Sequence, residues 1–511
     1  MGKKTKASFY TMIVSILNSI MIVLFNLIYN NYLIQMYGSN INGLISTLTQ
    51  FVSLFSIIEG GFTTAAVVAT YDPIVKGESQ RLNDILYTTK KTYMRIGGAI
   101  TACVLILGSV YILFVESPLS YVHTYSLLLI SVLTMASSLC FLSKYSVLLM
   151  GSNREYIQVI LSFVARTITW IISMGLILKN APIVLVYAIN LLTVIVNCIL
   201  AGSYEKKNYP DVTYCGTYDK SLIQGTGDVL LQKIANTIFT STDLVLISVF
   251  INFAMASVYN LYYQVFRALL TFLTAVVQAP FNSFGQLVQT DEGKGKLQEY
   301  FEIYEHLVLM LSSIALTIAG IMIIPFVTIY TLHIKDCNYI YPSLAILFFS
   351  QIFMQIVNRP FGTLLNATGN FKMQNKQCLA AAIVNIVVSI SFIKVWGIHS
   401  IIFGSFVATL VIVAANIVQV YKYILHGGMP RCVKNIVINY CVGCVLILFS
   451  FQMNWATQNY FQWIWQAILT SCVIGTVFII LNLIVDRKAC FRVARYLIGI
   501  IQKKTNTTRS K

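Results

Sequence analysis

Apolar runs of about twenty residues or more, separated by short polar connections, recur from residue 9 to residue 485. Wound as helix, a run of that length crosses the roughly 30 Å hydrocarbon core of a bilayer. In lipid a helix has the further merit of satisfying its own backbone hydrogen bonds. Fourteen spans are predicted, over residues 9–34, 41–70, 93–115, 122–148, 156–178, 182–203, 222–250, 253–284, 303–330, 339–365, 374–394, 397–421, 434–452 and 461–485. The connections are too short to own a hydrophobic core, so function is expected within the bilayer. Composition agrees: 57% of residues are hydrophobic and only 10% charged, against about 25% charged in an ordinary soluble domain. The expected fold class is an all-α polytopic membrane protein of about fourteen transmembrane helices.

The basic residues sort by connection. With the N-terminus inside and the sides alternating, 27 Lys and Arg residues fall on the inner side and three, Lys179, Lys335 and Lys394, on the outer. That bias predicts cytoplasmic N- and C-termini. The first span follows "MGKKTK" and carries no small-residue cleavage site, so it reads as a retained helix and not a removed signal. The net charge of +17 is accounted for by orientation and by attraction to anionic headgroups. It is scattered over many loops, unlike the single stripe that nucleic acid needs. Of eleven cysteines only Cys337 is expected on the oxidising side, which leaves no disulfide framework. "CVGC" at 441–444 has redox spacing but opens an apolar helix without a nearby His, and packing is its expected role.

The connection "YGSNINGL" after the first span and "INFAMASVYNL" after the seventh are matching landmarks, and a charged loop follows each pair of spans. This predicts two six-helix lobes of parallel topology around a central cavity, plus an extra helix pair. The expected divisions are an N-lobe over 1–208, a C-lobe over 209–428, the pair over 429–485 and a cytoplasmic tail over 486–511. Residues 486–502 place Phe491, Ala494, Leu497, Ile498 and Ile501 on one helical face and basic residues on the other, the pattern of a helix lying in the interface. Residues 76–92 are read the same way.

Once charges in the first or last three residues of a span are set aside, eight remain within the spans: Lys144, Arg166, Lys233, Arg267, Arg359, Glu59, Asp228 and Asp243. An ionised group at the bilayer centre costs at least about 2.5–3.5 kcal/mol, so each is expected to pair or to face water. Lys144 and Asp228 lie near span ends, where snorkelling relieves the cost. Polar residues recur at helical spacing on the seventh span (Gln232, Asn236, Asp243), the eighth (Asn260, Tyr263, Arg267) and the first (Asn26, Asn30). Such stripes fit helices lining a water-filled cavity; the alternative is that Ser, Thr and Asn join helices to one another. The arginine fork suits phosphate or carboxylate. Arg359 precedes Pro360, which predicts a kink there.

Several stretches resemble one family. "MYGSNINGLISTLTQFVSLFSIIEGGFTTAAVVATYDPIVKGESQRLNDILYTTKKTYMRIG", "GSNREYIQVILS", "TSTDLVLISVFINFAMASVYNLYYQVF" and "NATGNFKMQNKQCLAAAIVNIVVSISFIKVWGIHSIIFGS" resemble polysaccharide repeat-unit flippases of the Wzx type, in the multidrug/oligosaccharidyl-lipid/polysaccharide (MOP) exporter superfamily. The resemblance implies an alternating-access transporter of the bacterial cytoplasmic membrane. Its implied substrate is an undecaprenyl-pyrophosphate-linked oligosaccharide for surface polysaccharide such as O-antigen or capsule. Other polysaccharide-assembly membrane proteins are candidate partners, and the last two spans are candidates to line a groove for the lipid tail.

The residues suit that cargo. Arg267, Arg359, Arg166 and Lys233 are the expected cations for the diphosphate, with Asn26, Asn30, Gln232, Asn236 and Tyr263 as polar cavity residues and Tyr259 and Tyr262 as further sugar-stacking candidates. No phosphate-cradling Gly-rich loop with Lys-Ser/Thr is present, so no nucleotide cofactor or metal is expected, and coupling to H+ or Na+ is the candidate energy source. Glu59 and Asp243 are candidates either for that coupling or for balancing the cations. Two rivals are carried: a MATE-like cation-coupled drug or metabolite antiporter, and a membrane-embedded glycan polymerase or transferase. The first favours acidic cavity residues, whereas the spans here hold five basic groups and three acids. The second needs a large polar loop or an intramembrane His/Asp pair, and the five His residues all sit near span ends.

Overall fold

A computed structural model of the chain describes residues 3–219, 242–277, 291–368, 371–425, 427–453, 455 and 457–495. Among them there is helix and no strand. In chain order the helices are α1 (Lys3–Tyr37), α2 (Ser39–Lys76), α3 (Ser79–Phe114), α4 (Tyr121–Ser137), α5 (Ser143–Gly151), α6 (Glu155–Leu178), α7 (Ile183–Asn208), α8 (Asp243–Phe250), α9 (Phe253–Val277), α10 (Asp291–Tyr330), α11 (Pro342–Ala367), α12 (Phe371–Trp396), α13 (Ile398–Gln419), α14 (Met429–Ser450) and α15 (Tyr460–Val485). A π-helical turn, Ser138–Leu142, joins α4 to α5, and another, Val420–Ile424, extends α13. Eleven described helices are long and apolar enough to cross a membrane. Of the fourteen expected spans, those at 41–70 and 253–284 are not among the eleven; the first is helical as α2 and the second as α9 over its described residues 253–277, and of 222–250 only 242–250 is described.

The chain divides into two compact units, Met1–Leu261 and Tyr262–Lys511. In the first, α6 lies against α7 and α1, α3 against α2 and α4, and α4 against α7. Phe25 of α1 stacks on Trp170 of α6 with ring centroids 4.7 Å apart, and the indole N–H donates to the Phe25 carbonyl at 3.2 Å. An aromatic pair of this kind adds about 0.5–1.5 kcal/mol beyond its buried area. In the second unit α10 packs against α11, α14 and α15, and α13 against α11 and α12. The extra helix pair is therefore built onto α10 and α11.

Local chemistry sets the ends. Gly77 closes α2 with φ +71°, donating its N–H to the Pro73 carbonyl, a left-handed cap that glycine adopts without a Cβ penalty. Asn459 opens α15 by accepting from the Gln462 N–H at 2.9 Å, satisfying one of the free donors of the first turn. After Gly77 the chain re-enters helix at Ser79 and continues unbroken to Phe114. Residues 79–92 are thus the first turns of α3 and not a separate surface helix. Their Leu, Ile, Lys and Arg are good helix formers with no breaker before the span. Residues 487–495 are helical with Phe491 exposed; 496–502 lie outside the described residues. Pro360 lies inside α11, which is helical on both sides of it.

Candidate functional site

Arg267 stands near the middle of α9, and Tyr263 one turn before it. A guanidinium Nη1 donates to the Tyr263 hydroxyl, and the guanidinium carbon lies 5.3 Å from the centre of the same ring. Spacing of i, i+4 puts both on one face, and Arg267 is exposed. Arg359, on α11, lies within electrostatic reach of Arg267 and of Tyr304 on α10. The Tyr304 hydroxyl donates to the Val277 carbonyl, and Thr363, one turn beyond Arg359, lies within electrostatic reach of Tyr304. Three helices of the second unit therefore bring together two arginines, two tyrosines and a threonine. Among the described residues, no carboxylate forms an ion pair with either arginine. Two like charges in one neighbourhood repel, and the arrangement is relieved by an anion. Two arginine forks present up to ten N–H donors, the geometry that grips phosphate bidentately.

Arg166 belongs to the first unit, at the midpoint of α6, with its side chain exposed. The polar residues around it are spent joining helices: Asn197 donates to Ser162 at 2.9 Å, and Thr169 shares a 2.7 Å hydrogen bond with Thr193. Here the helix-joining alternative describes the pattern. On α1, Asn26 is exposed and Asn30 half-buried, while Ser19 is spent on the Ser15 carbonyl at 2.8 Å. Asp243, 3% exposed, opens α8 and accepts from the Tyr259 hydroxyl at 2.6 Å. The helix N-terminus is favourable ground for that carboxylate.

Two expected contacts do not hold. Tyr259 and Tyr262 are at most 1% exposed and cannot stack on a sugar. Tyr259 is bound to Asp243, and the Tyr262 hydroxyl donates to the Tyr339 carbonyl and accepts from the Tyr341 N–H, each at 3.0 Å. Burying a tyrosine is affordable only when its hydroxyl finds such partners. Tyr263 alone of the three is partly open. Lys233, Gln232, Asn236 and Asp228 lie outside the described residues, as does the side chain of Glu59.

Two groups went unseen in the sequence. Tyr304 and Thr363 look like ordinary span residues until the fold places them beside Arg359. Glu302, Glu305, Arg431 and Asp486 form a charged cluster at the end of the second unit; the i, i+3 spacing of the two glutamates on one helix face was its legible signal.

No protein-family model and no curated protein matches the sequence. Solved structures do resemble the fold. The lipid II flippase MurJ in an inward closed conformation matches with TM-score 0.64 at 11% identity, over 93% of this chain and 97% of that one. An inward-facing multidrug resistance MATE family transporter of the MOP superfamily matches with TM-score 0.60 at 12% identity, over 87% and 100%. A eukaryotic MATE transporter matches with TM-score 0.54 at 14% identity, over 92% and 99%. At such identities the likeness carries architecture and leaves cargo to the site. This chain is a multi-pass membrane protein with the fold shared by a lipid II flippase and by MATE transporters of the MOP superfamily.

Proposed function

We propose that this protein is a flippase that carries a polyprenyl-diphosphate-linked oligosaccharide across the bacterial cytoplasmic membrane, with both termini in the cytoplasm. The observation that carries the reading is the Arg267–Arg359 pair, two neighbouring cations with no carboxylate partner among the described residues. A diphosphate supplies the missing negative charge, and a sugar headgroup finds a hydroxyl partner in the partly open Tyr263. The fold supports transport and not catalysis, because its solved neighbours are a lipid II flippase and MATE transporters. Sequence resemblance to repeat-unit flippases points to surface polysaccharide as the pathway.

Deletion of the gene is expected to leave lipid-linked repeat units on the cytoplasmic face. Wild-type protein restores export, and an Arg267→Ala, Arg359→Ala double variant at equal expression does not. Normal export by the double variant contradicts the site, and normal export in the deletion strain contradicts the function.

A MATE-like antiporter is the second reading, favoured by the two MATE structures and by the buried carboxylate of Asp243. The two readings differ in the sign of the cargo. A flippase of diphosphates binds anions through the arginine pair, whereas an antiporter of drugs binds cations and tolerates loss of both arginines.

A further inference from the structure

At one end of the second unit the start of α14 meets α10, the π-helical turn after α13 and the residues following α15. Arg431 donates through Nε and Nη2 to both oxygens of Asp486, the second at 2.9 Å, and through Nη1 to Glu302 at 2.8 Å. Arg492 donates to the same Glu302 oxygen at 2.8 Å, and Asn435 donates to Asp486 at 2.9 Å. These bonds pin the helical residues 487–495 to α10 and α14, and they commit two arginines to two acids.

A third acid, Glu305, is left over. It is 9% exposed and accepts a hydrogen bond from the Tyr421 hydroxyl, in the π-helical turn, with Cys432 of α14 on the wall of the same cavity. Among the described residues no cation forms an ion pair with it. His306, its neighbour on α10, turns instead to the Cys490 sulfur at 3.4 Å. Beside Glu305 is a cavity of about 20 Å3, lined by Glu302, His306, Tyr421, Arg431 and Asp486, enough for one water molecule. Phe301 and Phe361 close the far side of the Tyr421 ring.

Three carboxylates face two guanidinium groups, so the cluster carries one surplus negative charge when Glu305 is ionised and none when it is protonated. A buried surplus charge is costly. The hydrogen bonding changes too. Ionised, Glu305 accepts a charge-assisted bond from Tyr421; protonated, it is a weaker, neutral acceptor and its own O–H becomes a donor, which loosens that bond. Tyr421 lies in a π-helical turn, a local irregularity that recurs at functional positions.

We propose that Glu305 is a proton-binding site whose loading switches the tie between the end of α13 and the α10–α14 pair. The proton is exchanged with bulk water through the cavity, and no other bond is made or broken. The site shares no side chain with the Arg267–Arg359 pair and stands whether or not that pair binds a diphosphate.

The test is an infrared titration of the full-length protein in lipid nanodiscs, from about pH 9 to about pH 4, which spans exposed and buried glutamates. The protonated-carboxyl signal is expected to be the same in wild type and in Glu299→Gln, an exposed control, over the range above the ordinary carboxylate values. Glu305→Gln lowers it by one proton. Tyr421→Phe takes one donor from the ionised form and moves the midpoint upward by about one pH unit. An unchanged band in Glu305→Gln overturns the proposal. Should that variant not fold, an unmoved midpoint in Tyr421→Phe overturns it equally.

Discussion

Asn42 and Ser257, 215 residues apart in the chain, share a 2.6 Å hydrogen bond from the Asn42 amide to the Ser257 hydroxyl. Asn260 donates in turn to Ser46 at 2.9 Å. Asn42 and Ser257 are fully enclosed and Asn260 nearly so, and a satisfied buried polar pair costs little, whereas breaking one strands its partner. The connections that stood out as matching landmarks in the sequence are thus in direct contact through side chains they each contribute.

Gly43 lies inside that contact. A Cβ added there would sit 1.7 Å from the Phe253 carbonyl oxygen and 2.6 Å from its carbon, backbone that cannot swing aside. Gly43→Ala is expected to destabilise the protein by about 1–3 kcal/mol, seen as a lower thermal midpoint in detergent. Gly175→Ala, with nothing within 4 Å of the new carbon, leaves the midpoint unchanged or raises it slightly.

The segment after α7 is stitched to α3 by side chains of α3. Asn83 accepts from the Thr213 and Tyr214 N–H groups at 2.8 and 3.3 Å and donates to the Asp211 carbonyl at 2.9 Å, while Asp84 accepts from the Thr217 N–H at 2.7 Å. Asn83→Ala removes three of these bonds at once. Cleavage within 209–219 under limited proteolysis is expected to quicken several-fold, consistent with a loss of about 1–3 kcal/mol. An unchanged rate would show that the segment is held by other contacts.

Asp486 gives the protein a calculable acid limit. Partial burial opposes its charge, and the hydrogen bonds from Arg431, Asn435 and the Ala489 N–H outweigh it, holding the carboxyl down to about 2. Its ordinary value is near 4. A group depressed in the folded state stabilises fully above its unfolded value and loses that contribution as pH falls through its folded one. The thermal midpoint of wild type is therefore expected to fall between about pH 4 and about pH 2. In Asp486→Asn the midpoint starts lower at neutral pH and falls less steeply over the same window. Parallel curves for the two proteins would show that the Arg431 bond adds nothing to stability.

The spans and the class of fold were legible because lipid leaves one periodic solution for a long apolar run, and α6, α7 and α11 to α15 follow the hydropathy closely. Arg359 and Arg267 were legible as single costly charges. Their nearness was not, since it depends on how α9, α10 and α11 pack. Tyr259 and Tyr262 misled because sequence spacing names a face without saying whether lipid, water or protein covers it. Residues 79–92 misled for a related reason: amphipathic charge patterning is common to a surface helix and to a span that extends past the membrane. Glu305 escaped notice because it stands among the charges that mark a span end, where a buried acid and a solvated one read alike.

The central claim is that the Arg267–Arg359 neighbourhood receives a diphosphate. Its most direct test is binding of an undecaprenyl diphosphate, against the matching neutral polyprenol, to the purified protein in lipid nanodiscs. The account predicts at least about tenfold preference for the diphosphate, equivalent to about 1.4 kcal/mol, weakened by salt and lost in the Arg267→Ala, Arg359→Ala variant. Equal affinity for the two lipids, or an undiminished preference in the double variant, would contradict it.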